Sequence, residues 1–366
     1  MNFDYNEEQQ LLADSVRRFI QKDYEFEARR KIVASAEGAS ESVWGTFAQM
    51  GLTGIPFSPD YGGFGGGAID LLSVMEAFGE GLVVEPFLAT LMGAQCVVRA
   101  GSDAQKKSLL PQVVEGKLKM AFAFSEKGSR YDLSQVKASA KKSSGGWTLE
   151  GEKVVVLGAP AAAKIVVSAA TPAGLGLFLV DAQAVKMKPY RTLDEMRAAD
   201  VRLQSTPGKI LGAEGKALPV MEAVVDFGTA LVCAEAVGAM KFSCDTTLEY
   251  LKTRKQFGVP IGTFQALQHR IVDMYVAYEQ AKSMAFLACS QADSAADAKE
   301  RARAISAAKI KIADNARLVS QEAIQLHGGM GMTDEMKVSH TFKRLTMIAQ
   351  QFGDAEHHLA RFASLS

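Results

Sequence analysis

Histidine, tryptophan and cysteine are scarce in this chain: 366 residues carry five histidines, two tryptophans and four cysteines. The cysteines, Cys96, Cys233, Cys244 and Cys289, lie far apart, and none belongs to a CxxC pair. That spacing argues against a structural zinc site and is expected of buried thiols in a reducing compartment. Net charge is also lacking, since 41 basic residues balance 41 acidic ones. A nucleic-acid partner is not expected, because such proteins carry a basic excess or stripe. No apolar run approaches the roughly 20 residues of a membrane span, so no membrane partner is expected. The opening "MNFDYNEEQQ" is acidic and polar, unlike a signal peptide. The expectation is a soluble cytoplasmic protein.

The chain has the length for two or three domains, or for one large layered unit with a sizeable core. Its periodicity changes twice. Residues 1–118 read as helical. In "NEEQQLLADSVRRFIQ", Leu12, Val16, Phe19 and Ile20 share one helical face, and Asn6 with Gln9 forms a capping box. Gly51 stops a short helix, and Gly62 to Gly67 form a loop.

Residues 119–215 shift to short valine-rich runs such as "WTLEGEKVVVLG", "KIVVSAA", "GLFLVDA", "VKMKPY" and "DVRLQS". Gly, Pro and Asp punctuate them, as in a small antiparallel barrel or sandwich. Residues 216–366 return to long helices. Ile312, Ala316, Val319, Ala323 and Leu326 make a near-heptad stripe capped by Gly328. The fold class is therefore α+β: a helical N-domain, a middle β-barrel or sandwich and a C-terminal antiparallel helical bundle. A dinucleotide fingerprint in "GGFGGG" is disfavoured, because no strand precedes it.

Three stretches of the last segment carry candidate chemistry. In "RKQFGVPIGTFQALQH", Arg254 and Phe257 stand at a helix end before a Gly/Pro loop. The arginine could clamp a diphosphate bidentately or simply answer the helix dipole. In "QLHGGMGM", Gly328 and Gly329 either let backbone approach a ligand or cap the helix. In "QQFGDAEHHLAR", His357 and His358 point about 100° apart on a helix, which suits a shared metal poorly. No metal site is expected there. Asp354 is expected to be the N-cap, with Leu359 and Phe362 packing beneath.

Together these stretches resemble the acyl-CoA dehydrogenase family across essentially the whole chain. "MGLTGIPFSPDYGGFGGG" and the helix–strand–helix order resemble its N-domain loop and architecture, which implies an α+β fold with a helical N-domain, a middle β-barrel and a C-terminal four-helix bundle. "YLKTRKQFGVPIGTFQALQH" followed by "QLHGGMGM" is the specific pairing. The resemblance implies FAD bound between subunits of a tetramer, an acyl-CoA thioester substrate oxidised to its 2,3-enoyl form, and an electron-transfer flavoprotein as acceptor. It assigns Arg254 and Phe257 to the FAD of a neighbouring subunit. Gln256 and Ile261 line that site, and Gln325, Gly328 and Gly329 form a strand-like turn holding the ADP part. An arginine and free backbone N–H groups suit two phosphates.

Elsewhere the sequence departs from the family pattern. The chemistry needs a desolvated carboxylate to take the α-proton. Phe352 stands where the family places it, just before Gly353. Some members place it on the long helix instead, where Gly228 stands here. Asp226 is close in sequence, but two residues of helix turn its side chain about 200° away. Asp354 and Glu356 stand where the family often has a hydroxyl and an amide. Val155 stands at the flavin-stacking tryptophan position. Lys127 replaces a proline in "SEKGSRYD", leaving Ser125 and Ser129 as candidate flavin or CoA contacts.

The catalytic base is therefore unassigned, with Asp226, Asp354 and Glu356 as weak candidates. The pattern is that of the small, base-lacking subunit of a heteromeric enzyme for dicarboxylyl- or steroid-CoA substrates. Such a subunit would pair with a larger acyl-CoA dehydrogenase subunit in a heterotetramer. The alternative is a self-sufficient homotetramer with an atypical base, or with a base-free reaction such as sulfinate loss.

Overall fold

A computed structural model describes residues 6–144, 146–293 and 297–365. Six helices come first: α1 (Glu7–Asp23), α2 (Phe26–Ala34), α3 (Glu41–Gln49), α4 (Ala68–Gly81), α5 (Phe87–Ala100) and α6 (Asp103–Val114). Seven strands follow: β1 (Met120–Ala123), β2 (Ser139–Ser143), β3 (Gly146–Leu157), β4 (Lys164–Thr171), β5 (Gly174–Asp181), β6 (Lys186–Arg191) and β7 (Arg197–Leu211). The remainder is α7 (Ala217–Thr253), a hairpin of β8 (Lys255–Gln256) and β9 (Val259–Pro260), then α8 (Gln265–Asp293), α9 (Ala298–His327), α10 (Lys337–Gln350) and α11 (Ala355–Ser364). Three long helices and two shorter ones therefore make up most of the described part of the last segment.

The chain compacts into two units that interleave along the sequence. One comprises Met1–Arg30, Ala68–Val83 and Thr229–Ser366, the other Lys31–Gly67 and Val84–Gly228.

The second unit holds the sheet, which closes on itself. β4 pairs with β5 on one edge and shares its other edge between β1 and β2. β2 pairs with β3, and β3 with β7. β7 pairs along its other edge with β6 and then β5, which completes the circuit. Trp147, Leu149, Ile165, Val167, Phe178, Val201 and Leu203 fill the interior. The expected barrel is present, but it is not purely antiparallel. β1 runs parallel to β4 over Met120–Ala123, and β2 meets β4 in parallel at Ser139 and Ala170. Short strands that arrive through crossovers rather than hairpins are free to pair this way.

The first unit is helical. Asn6 and Gln9 make the expected capping box on α1, whose Val16 and Ile20 are buried with Leu12 and Phe19 half-buried. α4 and α7 approach backbone to backbone. A Cβ on Gly238 would lie 1.7 Å from the carbonyl oxygen of Glu76, and one on Gly79 would lie 1.9 Å from that of Glu235. Only glycine fits either position. Beside this crossing, Arg344 of α10 grips Glu235 of α7 through Nε at 2.5 Å and Nη2 at 2.6 Å, with both side chains buried. Asp293 closes α8 by accepting the N–H groups of Ala68 and Ile69 at the start of α4. The α9 stripe Ile312, Ala316, Val319, Ala323 and Leu326 is buried throughout.

One expectation fails here. α7 contains an 18-residue window of mean hydropathy 1.6, long and apolar enough by composition to cross a membrane, and 78% of that window is buried inside the protein. A helix that is apolar on every side is what a core position demands. The small residues that interrupt its runs of Val, Leu and Phe hide this length on inspection.

Candidate functional site

The residues of the "RKQFG" stretch continue from the end of α7. The Arg254 N–H donates to the Tyr250 carbonyl and the Arg254 carbonyl accepts from Ile261, both at 2.8 Å, which anchors the β8–β9 hairpin. Phe257 and Gly258 form its tip, with φ of 54° and 83°. Two positive φ values suit a tight hairpin turn, which favours Asn or Gly at its first position. A phenylalanine there is strained and also 91% exposed, its ring centroid 6.1 Å from that of Phe264 in an edge-to-face arrangement. Arg254 is exposed and makes no ion pair among the described residues. Gln256 is exposed, but its amide donates to the Lys255 carbonyl, and Ile261 is half-buried.

At the end of α9, Gln325 is exposed and its carbonyl accepts the N–H of Gly328. Gly328 and Gly329 are also exposed, and a Cβ on either would meet nothing within 4 Å. The strand-like turn expected here is absent. Gly328–Met332 form a 3-10 turn, as commonly happens where an α-helical ladder runs out of acceptors. The two stretches are brought together: the Tyr250 ring stacks on His327, with centroids 4.5 Å apart and planes at 30°. Sequence reading missed this pair: both rings lie within the two quoted stretches, but nothing in either stretch says that they stack.

The turn before α11 holds the position of the expected base. Phe352 is half-buried at φ 62°, a strained backbone for a bulky side chain. Lys309 of α9 is fully buried and donates to the carbonyls of Gly353 at 2.6 Å and Ala349 at 3.2 Å. Burial pulls its pKa down to about 8. His358 is 1% exposed, with Nε2 3.2 Å from the Phe352 carbonyl and Nδ1 3.2 Å from the Ser306 hydroxyl. Both of its nitrogens are thus committed to protein contacts.

Asp354 caps α11 as expected, accepting the N–H of His357 at 2.8 Å. Glu356 is exposed. Leu359 does not pack beneath: it is 59% exposed, because the buried side of this short helix is taken by His358. Phe362 is half-buried, with Arg303 5.2 Å above its ring. On α7, Asp226 and Gly228 are both buried.

In the barrel, "SEKGSRYD" and "GEKVVVLG" are joined by a buried ion pair that sequence reading missed. Lys153 Nζ lies 2.6 Å from Glu126 and 2.9 Å from the Ser168 hydroxyl, and the Glu126 carboxylate also accepts the N–H groups of Lys137 and Ala138. Burial raises the Glu126 pKa, but Lys153 and those two amides outweigh it and hold the carboxyl below its usual range. The available signal was a lysine inside an apolar strand, which requires a buried counter-charge.

The Ser125 carbonyl accepts the N–H of Val154. The Ser129 hydroxyl is buried and engaged with the backbone of Glu126, so it is not available as the ligand contact expected of it. Val155 sits in a bulge at φ 52°, its N–H held by Tyr190 and Asp200 and its side chain 49% exposed.

These residues fit FAD unevenly. The exposed guanidinium of Arg254, the Gln325 amide and the open Gly328–Gly329 turn suit its diphosphate and ADP portion. The barrel does not offer the flavin ring an aromatic face at Val155, nor a free hydroxyl at Ser129.

The acyl-CoA dehydrogenase N-terminal domain matches residues 6–117, the middle domain 121–205 and the C-terminal domain 216–364. Acyl-CoA dehydrogenase FadE12 of Mycobacterium tuberculosis is 29% identical, over 95% of this chain and 93% of its own length. The solved Tcur3481–Tcur3483 steroid acyl-CoA dehydrogenase G363A variant superposes with a TM-score of 0.90 at 29% identity, covering 98% of this chain and 97% of that one. PigA with FAD and proline gives 0.90 at 26% identity, covering 100% and 98%. The chain belongs to the acyl-CoA dehydrogenase family of FAD-dependent oxidoreductases.

Proposed function

We propose that this chain is the base-lacking subunit of a heteromeric acyl-CoA dehydrogenase. It lends Arg254, Phe257, Gln325 and the Gly328–Gly329 turn to an FAD seated mainly in a larger family subunit. The observation that carries this reading is Phe352. The turn around it is pinned by Lys309 and His358, yet it presents a ring that cannot accept a proton. The proton-abstracting step needs a positioned base.

When bound, FAD supplies the acceptor for the hydride that leaves the β-carbon of an acyl-CoA thioester. Arg254 would neutralise diphosphate charge, and Phe257 would cover an apolar face of the cofactor. The glycine turn would let backbone approach the ADP portion. Val155 in place of a stacking ring supports a flavin held by the partner. Electrons would leave through an electron-transfer flavoprotein. The two-component name of the similar Tcur3481–Tcur3483 enzyme supports a heteromer, and its description as a steroid acyl-CoA dehydrogenase supports a bulky acyl group as substrate.

The buried carboxylate of Asp226 favours a second reading, a self-sufficient homo-oligomer. The test is the visible spectrum of the purified chain, alone and co-expressed with a larger family member, titrated anaerobically with an acyl-CoA panel. Colour and bleaching that require the partner are expected. Stoichiometric FAD that bleaches in the chain alone would sink the partner-subunit reading.

A further inference from the structure

Arg254 and Gly328 of the clamp are 74 residues apart in sequence, so something must hold them in register. His327 is the last residue of α9 and is 2% exposed. Its Nδ1 lies 2.8 Å from the Ala323 carbonyl, which can only accept, so Nδ1 carries the proton. Nε2 is buried and meets no hydrogen-bond partner among the described residues. The ring therefore has one edge tied to α9 and one face laid on Tyr250.

Tyr250 is one turn before Arg254 and accepts its N–H. The 3-10 turn is wrapped on the same histidine. A Cβ on Gly331 would lie 2.9 Å from the His327 Cβ and 2.8 Å from the Ile324 carbonyl oxygen. The His327 ring is thus tied to α9 and laid on Tyr250, while its Cβ lies against the turn that carries Gly328 and Gly329.

We infer that His327 and Tyr250 are the positioning pair that couples the Arg254–Phe257 hairpin to the Gly328–Gly329 turn. The inference rests on the cofactor-clamp reading above. A histidine suits the role because it combines a donor edge with a stacking face. Phenylalanine offers only the face, and alanine neither. Loss of an aromatic contact of this kind shifts a local opening equilibrium by up to about tenfold.

The test is hydrogen–deuterium exchange on the full chain as purified, comparing the parent with His327→Ala, His327→Phe and Tyr250→Leu. His327→Ala should speed exchange about tenfold in two segments at once. These are residues 328–332, beside the substitution, and residues 255–260, remote from it in sequence. His327→Phe should keep hairpin protection close to the parent's, and Tyr250→Leu should mirror His327→Ala. Loosening confined to 328–332, no loosening, or a uniform increase across all helices would overturn the coupling.

Retention of FAD, in whichever oligomer holds it, is measured beside this. His327→Ala should weaken it about tenfold and His327→Phe by less than about threefold. Arg254→Ala separates the two claims. If it leaves FAD retention intact, the clamp reading fails while the exchange data still judge the pair. If it weakens retention and His327→Ala does not, only the positioning role fails.

Discussion

The ammonium of Lys309 and the carbonyl of Gly353, 2.6 Å apart, join the middle of α9 to the turn that would carry a catalytic base. A second bond reaches the Ala349 carbonyl at the end of α10. Replacing Lys309 with methionine keeps the stem volume and removes a buried charge, which is favourable. It also strips two carbonyls of their donor, and a charge-assisted hydrogen bond contributes about 1.5–3 kcal/mol. The second effect should win, and Lys309→Met should lose about 2 kcal/mol of stability in urea unfolding. A variant as stable as the parent would show that the turn holds without its lysine.

The candidate carboxylates can be judged one at a time in the catalytically competent oligomer. Asp226→Asn, Asp354→Asn and Glu356→Gln keep shape while removing basicity. If the base belongs to a partner, each should leave kcat within about threefold. Loss of a true base costs about 10²–10⁴. A drop of that size in any one variant would name the base and favour the self-sufficient reading.

The hairpin tip offers a test of strain retained for function. Phe257 occupies a left-handed conformation that costs a non-glycine residue about 1–3 kcal/mol. Asparagine prefers that position, so Phe257→Asn should raise thermal stability of the cofactor-free chain by about 1 kcal/mol. The same change should lower FAD retention in the assembled enzyme. Unchanged stability with unchanged retention would mean that the exposed ring serves neither.

His358 predicts an acid sensitivity. Burial, together with the nearby Lys309, His357 and Arg361 charges, pushes its pKa down to about 2 from 6.5. The folded value is below the unfolded one, so the unfolded chain takes up the proton first as pH falls through 6.5. Stability is full above that pH and is lost below it, by about 1.4 kcal/mol per pH unit. Between pH 6.5 and 5 the parent should therefore lose about 2 kcal/mol more than His358→Gln. Equal losses would show that His358 does not control the acid limb.

Local pattern carried the reading where structure is local. The α9 stripe, the Asn6 and Asp354 caps and the valine-rich strands each follow from residues within a few positions of one another. What stayed hidden was pairing over distance. Glu126 with Lys153 and Glu235 with Arg344 are each written as two unremarkable charged residues. The parallel β1–β4 pairing depends on where β1 arrives rather than on its composition. At the candidate site, Arg254 and the glycine turn stood out because their residue types name a chemistry, and the structure leaves both exposed. His327 and Tyr250 were not, because stacking leaves no spacing rule to read. The 3-10 turn after His327 was misjudged because a family likeness stood in for hydrogen-bond accounting at a helix end.

The closed circuit of the barrel has a bearing on assembly. Most of its strands spend both edges on neighbours within the chain, and β6, paired to β7 alone, presents Lys186, Lys188, Pro189 and Arg191 along its length. Lysines and a proline on such an edge discourage recruitment of a foreign strand. The barrel is thus poorly suited to nucleating fibrils or swapping strands when the chain is made without companions.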